Sequence, residues 1–270
     1  MGTAFWLCTL VAVAIAAALL LWEISVWTVI IALIALACPA MMLYSRWIMR
    51  RALAALDERA PPHTHGVTMS WAAPFYDLYC PWLGLGPGFR RETLHHAGLR
   101  SGEHVLDVGC GTGVLTRLAA ATVGSAGYVV GIDPSPGMLA KARRNATGTP
   151  VEFRLGAIEA LPFHDASFDL VLSSFMMHHL PPEVKRAGLA EVYRVLKPGG
   201  RLLVVDIDKP SNPLWWLLCW PLLFFHFTAT NLRGEVPAYL RAAGFAPVER
   251  CARKGGLLSF WRARKPDRSE

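Results

Sequence analysis

A carboxylate followed by alternating glycines is the first arrangement in this chain able to do chemistry. The stretch VLDVGCGTG, residues 105–113, sets Asp107 ahead of Gly109, Gly111 and Gly113, with Cys110 and Thr112 between them. Glycines at this spacing permit a tight turn in which the backbone approaches a ligand closely. A second carboxylate, Asp133, stands before Pro134 in GIDPSPGMLAKA, residues 131–142. An acid at the end of a strand beside such a turn can accept hydrogen bonds from both hydroxyls of a ribose. Together the two motifs describe a nucleoside site.

The glycine spacing narrows the choice of nucleoside. A dinucleotide turn wants glycine at the last position of G-x-G-x-x-G, and counted from Gly109 that position is Val114. The spacing G-x-G-x-G, with an acid before it, suits a ligand that has no pyrophosphate to seat at a helix N-terminus. S-adenosylmethionine is such a ligand. Its amino group is cationic, and Asp107 is placed to act near that group, directly or through water. The same spacing argues against a nicotinamide oxidoreductase.

These residues need a scaffold, and the chain from residue 100 onward alternates strand and helix signals, as a parallel sheet requires. Strands are expected at His104–Val108, Tyr128–Ile132, Val151–Leu155, Phe168–Ser173 and Arg201–Ile207. Helices are expected over Val114–Thr122, after Ser135 as cap with Pro136 in the first turn, and over Glu183–Leu196, ended by Pro198-Gly199-Gly200. Phe245–Cys251 and Leu257–Arg264 read as a final antiparallel pair. No internal repeat occurs at a fixed period.

Residues 74–210 resemble class I S-adenosylmethionine-dependent methyltransferases, in particular the ubiquinone/menaquinone C-methyltransferase (methyltransferase type 11) branch. The resemblance is carried by the two motifs above together with EALPFHDASFDLVLSS, residues 159–174, and YRVLKPGGRLLVVD, residues 193–206. It implies an α/β, Rossmann-like fold with a seven-stranded, mostly parallel sheet whose last strand is antiparallel. It implies S-adenosyl-L-methionine as cofactor, with Gly109, Gly111 and Thr112 lining its methionine part. Asp133 would then face the ribose, Ala157 and Ile158 the adenine, and Ser174 the floor of the site. Cys110, Gly113, Pro134 and Met138 complete the expected cofactor-binding set. The chain departs from the family at Ala157, where an Asp or Asn is usual, so that adenine loses a side-chain hydrogen bond and the backbone amide of Ile158 remains.

Methyl transfer from a sulfonium is an in-line displacement, and the enzyme mainly aligns the acceptor with the methyl carbon. A general base is needed only where the acceptor must lose a proton. His178 and His179, just after the fourth strand, and Tyr76 are the candidate catalytic residues, with His226 behind them. The quinone branch carries an Arg-Asn pair in place of these histidines, which sets a quinone acceptor in question. The apolar insert PLWWLLCWPLLFFHF, residues 213–227, is uncharged. Pro221 interrupts it, so it reads as an apolar lid or an interfacial dip into lipid rather than a single span.

The N-terminal segment, residues 1–47, points to a membrane. Residues 4–22 and 24–44 carry no charge and only Glu23 separates them. Each run is long enough to cross a hydrocarbon core of ~30 Å at ~1.5 Å per residue. Trp6, Tyr44 and Trp47 fall at one level and Trp22 and Trp27 at the other, as interfacial belts do. A transmembrane helical hairpin over 1–47 is therefore expected, with a hairpin entering one leaflet as its alternative. A signal peptide is not expected, because Met1–Thr3 carry no positive charge and the apolar run does not stop. Arg46, Arg50 and Arg51 place the following domain, residues 71–266, on the cytoplasmic side, reached through a linker over 48–70. The net charge of +7 comes with no basic helix interleaved with aromatics, so anionic lipid is favoured over nucleic acid. Six cysteines form no C-x-x-C pair, and His63, His65, His95 and His96 complete no metal site. The expected partners are thus an apolar small-molecule acceptor and membrane lipid. A small thiol as acceptor, and a non-catalytic cofactor-binding module, are the alternatives.

Overall fold

The computed structural model describes Trp47, residues 64–68, Ser70 and residues 73–267. The chain divides into two units, Met1–Ile48 and Met49–Glu270, and the fold described is that of the second. The expected membrane hairpin lies outside the described residues. Among the described residues, no helix is long and apolar enough to cross a membrane.

Seven strands form one sheet: β1 (His104–Val108), β2 (Tyr128–Asp133), β3 (Glu152–Leu155), β4 (Phe168–Ser174), β5 (Leu196–Ile207), β6 (Val248–Lys254) and β7 (Leu258–Arg264). Their order is β3-β2-β1-β4-β5-β7-β6. Neighbours pair in parallel from β3 to β5, while β7 runs antiparallel to both β5 and β6. The helices are α1 (Tyr76–Tyr79), α2 (Pro87–Ala97), α3 (Val114–Val123), α4 (Pro136–Asn145), α5 (Pro182–Val195), α6 (Pro213–Cys219), α7 (His226–Leu232) and α8 (Val236–Ala242).

Strand side chains alternate between faces, and both faces here are covered. Leu106, Val130, Val171 and Val204 point to one face, under Val184, Leu189 and Val192 of α5 and Leu240 of α8. Val105, Val129, Leu172 and Val205 point to the other, under Phe89 and Leu94 of α2 and Leu115 and Ala119 of α3. The runs are apolar without a polar beat because neither face meets water. Ser135 caps α4 by accepting from the Met138 N–H at 3.2 Å, with Pro136 in the first turn as expected.

Two boundaries differ from the sequence expectation. The helix before β5 ends at Val195 and the strand already begins at Leu196, so Pro198-Gly199-Gly200 lies inside the strand and does not terminate the helix. The β4 register shifts between Phe168 and Leu170 opposite this stretch. Gly199 takes a φ of 72°, and its N–H donates to Lys265 O at 3.0 Å. A bulge thus absorbs residues that alone read as a turn. The last hairpin starts at Val248 rather than Phe245. Phe245 is buried against Tyr193, with ring centroids 5.3 Å apart, and Pro247 has no N–H for the ladder.

The apolar insert folds as α6, a 3-10 segment (Trp220–Phe224) and the start of α7. Leu214, Leu217, Leu218, Trp220, Phe224 and Phe225 are all more than half exposed. The insert is therefore an outward apolar face and not a buried core helix. Its C-terminal end is anchored by Lys185, which is fully buried. The Lys185 ammonium donates to Phe227 O at 2.9 Å, Thr230 Oγ1 at 2.5 Å and Asn231 Oδ1 at 2.6 Å. Lys185→Ala removes the ammonium donor from three acceptors, two of them, Thr230 Oγ1 and Asn231 Oδ1, buried. We expect a loss of about 3 kcal/mol or more, lowering Tm by roughly 6–12 °C in detergent. An unchanged melting curve would show that α7 is held by packing alone.

Candidate functional site

The strand order reverses direction around β1, where β2 lies on one side and β4 on the other. In open α/β sheets a crevice forms at this point beyond the carboxyl ends of the strands. The glycine turn occupies it. Gly109 takes a φ of 72°, and a Cβ there would lie 2.5 Å from Met176 Cγ. Gly113 caps α3 with a φ of 74°, and a Cβ there would lie 2.6 Å from the Phe153 ring. Both positions combine a left-handed backbone with no room for a side chain.

Asp133 closes β2 beside this turn. Its Oδ2 accepts from the Gly111 N–H at 2.9 Å and its Oδ1 from the Ser135 N–H at 2.8 Å. Each oxygen keeps a second lone pair, so the carboxylate can still take two hydroxyl donors. Burial pushes its pKa up to about 6, against the opposing effect of these two backbone bonds. Asp107 is likewise buried, accepts from Thr116 Oγ1 at 2.7 Å and is raised by burial to about 6.

Two contiguous cavities lie here. The larger is lined on one side by Gly109, Gly111, Asp133, Pro134, Met138 and Ile158. Ser174, Phe175, Met176, His179 and Leu180 line it on the other. The smaller is lined by Tyr76, Arg90, Asp107, the turn from Gly109 to Thr112, and Ser174. Tyr76, Gly109, Gly111 and Ser174 border both. Arg90 is buried and donates to Ser174 Oγ at 3.3 Å. A buried guanidinium and a buried carboxylate facing one small cavity suit the zwitterion of an α-amino acid. Arg90 was not singled out from the sequence, where it stands as one of two adjacent arginines.

Tyr76 is positioned by its neighbour. Asp77 accepts from Thr112 Oγ1 at 2.5 Å and Asn145 Nδ2 at 3.3 Å, and pairs with Lys141 Nζ at 3.3 Å. These bonds latch the α1 turn onto the glycine turn and set Tyr76 over both cavities. The end of the expected linker also takes part, since Thr64, Gly66, Val67 and Thr68 line the larger cavity. Val67 N–H donates to His179 O at 3.0 Å.

Not every expected residue faces the cavities. Cys110 borders the smaller cavity, but its side chain packs with Leu139, Ala142 and Phe153, and burial holds its thiol well above the usual range. Ala157 is buried and does not line the larger cavity. His179 lines that cavity, and burial with the neighbouring His178 ring pushes it down to about 4. His178 lines neither cavity and lies against His179 at a tilt of 42°, with ring centroids 4.0 Å apart. The His178 Nδ1 lies 2.6 Å from Asp206 Oδ1. Burial alone would raise the Asp206 carboxyl, but its pairing with His178 and the Ile207 N–H hold it below the usual carboxylate range. A carboxylate on one imidazole nitrogen fixes the tautomer and leaves the other nitrogen free to take a proton. Asp206 escaped the sequence reading. Its only signal there is an acid at the end of an otherwise apolar strand. His226 lines neither cavity. Among the described residues no cluster of three or more potential metal ligands occurs.

Known proteins agree with this geometry. A family model described as a methyltransferase domain matches residues 105–200. A demethylmenaquinone methyltransferase of Symbiobacterium thermophilum is 36% identical over 162 residues, 56% of this chain and 64% of that enzyme. The chain thus spans somewhat under two thirds of that relative. An uncharacterized methyltransferase of Synechocystis is 36% identical over 179 residues, 65% of this chain and 82% of the relative. The fold matches a SAM-dependent methyltransferase of Aquifex aeolicus with a TM-score of 0.56 at 23% identity, over 73% of this chain and 99% of the other. With a glycine turn, a strand-end carboxylate and a relative matched over most of its length, the chain belongs to the S-adenosylmethionine-dependent methyltransferases.

Proposed function

We propose that this protein transfers the methyl group of S-adenosylmethionine to an apolar, membrane-soluble acceptor of quinone-like or lipid type. The observation that carries the reading is the larger cavity, in which Asp133 and the glycine turn share one space with His179, Phe175, Met176 and Leu180. Asp133 would hold the cofactor's sugar, and Asp107 with Arg90 its amino acid, and the cofactor when bound would supply an electrophilic methyl group to an acceptor in this cavity. The similarity to a demethylmenaquinone methyltransferase supports a quinone-like acceptor. His178-His179 stands where that branch has Arg-Asn, so proton removal here falls to the histidine pair, with His179 on the cavity wall and His178, held by Asp206, packed against it. The histidine pair would take the proton from an acceptor that must lose one, and the cofactor when bound would supply the methyl group, itself being left as a neutral thioether.

The N-terminal apolar segment holds the enzyme at the membrane with its catalytic domain facing the cytoplasm. The exposed face of Leu214, Leu217, Leu218 and Trp220 adds a second contact with lipid. The test is incubation of the full chain with methyl-labelled cofactor and a total lipid extract, followed by mass identification. Label in an extracted lipid or quinone is expected. Label in a small thiol alone would favour thiol methylation, and no transfer to either would favour a non-catalytic module.

A further inference from the structure

The apolar insert leaves the domain and returns to it at one place, away from both cavities. Asp208 N–H donates to Leu257 O at 2.8 Å and Ser211 N–H to Gly256 O at 3.0 Å, which pins the outgoing segment to the turn between β6 and β7. Asn231, at the end of α7, donates through Nδ2 to Ile207 O at 3.1 Å. A Cβ at Gly234 would lie 3.3 Å from Lys209 Cβ, so the outgoing and returning segments touch.

This root is cationic. Lys209, Arg233, Arg250 and Arg253 line one open recess together with Asp208 and Trp261. Four cations meet one carboxylate there, and that carboxylate is already engaged. Asp208 is buried, its Oδ1 accepts from the Lys209 N–H at 2.8 Å, and its Oδ2 lies 3.8 Å from Arg250. Arg253 donates to two carbonyls, Lys209 O and Gly256 O. The Lys209 ammonium and the Arg233 guanidinium have no hydrogen bond or ion pair among the described residues. Like charges gathered in one recess repel, and an anion seated among them relieves the repulsion. Guanidinium forks match the oxygens of a phosphate. A few residues along the chain the insert turns Leu214, Leu217, Leu218 and Trp220 outward. Apolar side chains rising from a cationic root suit a lipid interface, with the cations at headgroup level. A soluble phosphate would use the cations and leave the apolar face without a partner.

We propose that this recess is a headgroup site for an anionic phospholipid, whose phosphate sits among Lys209, Arg233 and Arg250 while its acyl chains meet the exposed insert. This rests on the reading of the insert as lipid-facing, and it adds a headgroup preference that exposed leucines do not give.

The test is calorimetry on the full chain in a neutral detergent, titrated in turn with dioctanoyl phosphatidylglycerol, dioctanoylglycerol and glycerol phosphate. Phosphatidylglycerol should bind most tightly, and its affinity should fall as salt is added. A cation beside an anionic lipid contributes about fivefold in affinity, so the double variant Lys209→Gln/Arg233→Gln should bind phosphatidylglycerol roughly 25-fold more weakly. Its affinity for dioctanoylglycerol should not change. Arg100→Gln/Arg144→Gln removes as much charge from exposed positions outside the recess and should bind like the unsubstituted chain. Equal losses in the two double variants would overturn the proposal, since net charge alone would then be acting. Unchanged phosphatidylglycerol binding in Lys209→Gln/Arg233→Gln would overturn it while leaving the apolar contact in place. Glycerol phosphate binding as tightly as phosphatidylglycerol would overturn the lipid source in favour of a free phosphate. Failure of both dioctanoyl compounds to bind would remove the lipid-facing reading of the insert, and this inference with it.

Discussion

Asp133→Ala is expected to weaken S-adenosylhomocysteine binding by at least 100-fold. Two ribose hydroxyls donating to a buried carboxylate contribute about 1.5–3 kcal/mol each, and a factor of ten needs about 1.4 kcal/mol. The substitution also releases the Gly111 and Ser135 N–H groups that Asp133 holds at 2.9 and 2.8 Å. Asp133→Asn separates the two effects, because its amide oxygen still accepts while its charge is gone. A smaller loss, about tenfold, is expected for Asn. The pH dependence follows from the raised pKa of about 6. Above that value the carboxylate is ionised and accepts fully. As pH falls through about 6 the group gains a proton in the free protein, and affinity falls with it. Equal affinity of Asp133→Ala and the unsubstituted chain would remove the ribose assignment.

Asp206→Asn is expected to lower kcat by about 10²- to 10⁴-fold for an acceptor that must lose a proton, the usual span of general-base assistance. The carboxylate orients His178 through a 2.6 Å contact to Nδ1. An amide there can present its NH2 to the same nitrogen and trap the ring in the wrong tautomer. KM for the cofactor should change little, since Asp206 borders neither cavity. His178→Ala should match it, and the two losses should not add, because the pair acts as one unit. Unchanged kcat in Asp206→Asn would mean that the acceptor arrives already ionised, as a thiolate does, and that the pair takes no part.

How much of this could be read from residues alone depends on the range over which each feature is determined. The glycine turn, its carboxylates and the β/α alternation are local patterns, and the sheet forms from them with β7 reversed as expected. Asp206 acquires its meaning only when β5 pairs with β4 and brings it to His178, 28 residues away. Lys185 looks like an ordinary helix-surface charge until α7 folds over it. Residues 64–68 carry no periodic apolar pattern, and what holds Val67 is a backbone bond to His179, which side-chain types do not announce.

Every role assigned to the site depends on where the cofactor lies, and a crystal structure of the chain with S-adenosylhomocysteine tests that most directly. The ribose hydroxyls should lie within about 2.6–3.0 Å of the two Asp133 oxygens. The amino acid should lie between Asp107 and Arg90, and the sulfur should face the wall that carries His179. A ligand bound elsewhere, or a glycine turn closed over by Met176 with Asp133 out of reach, would contradict it.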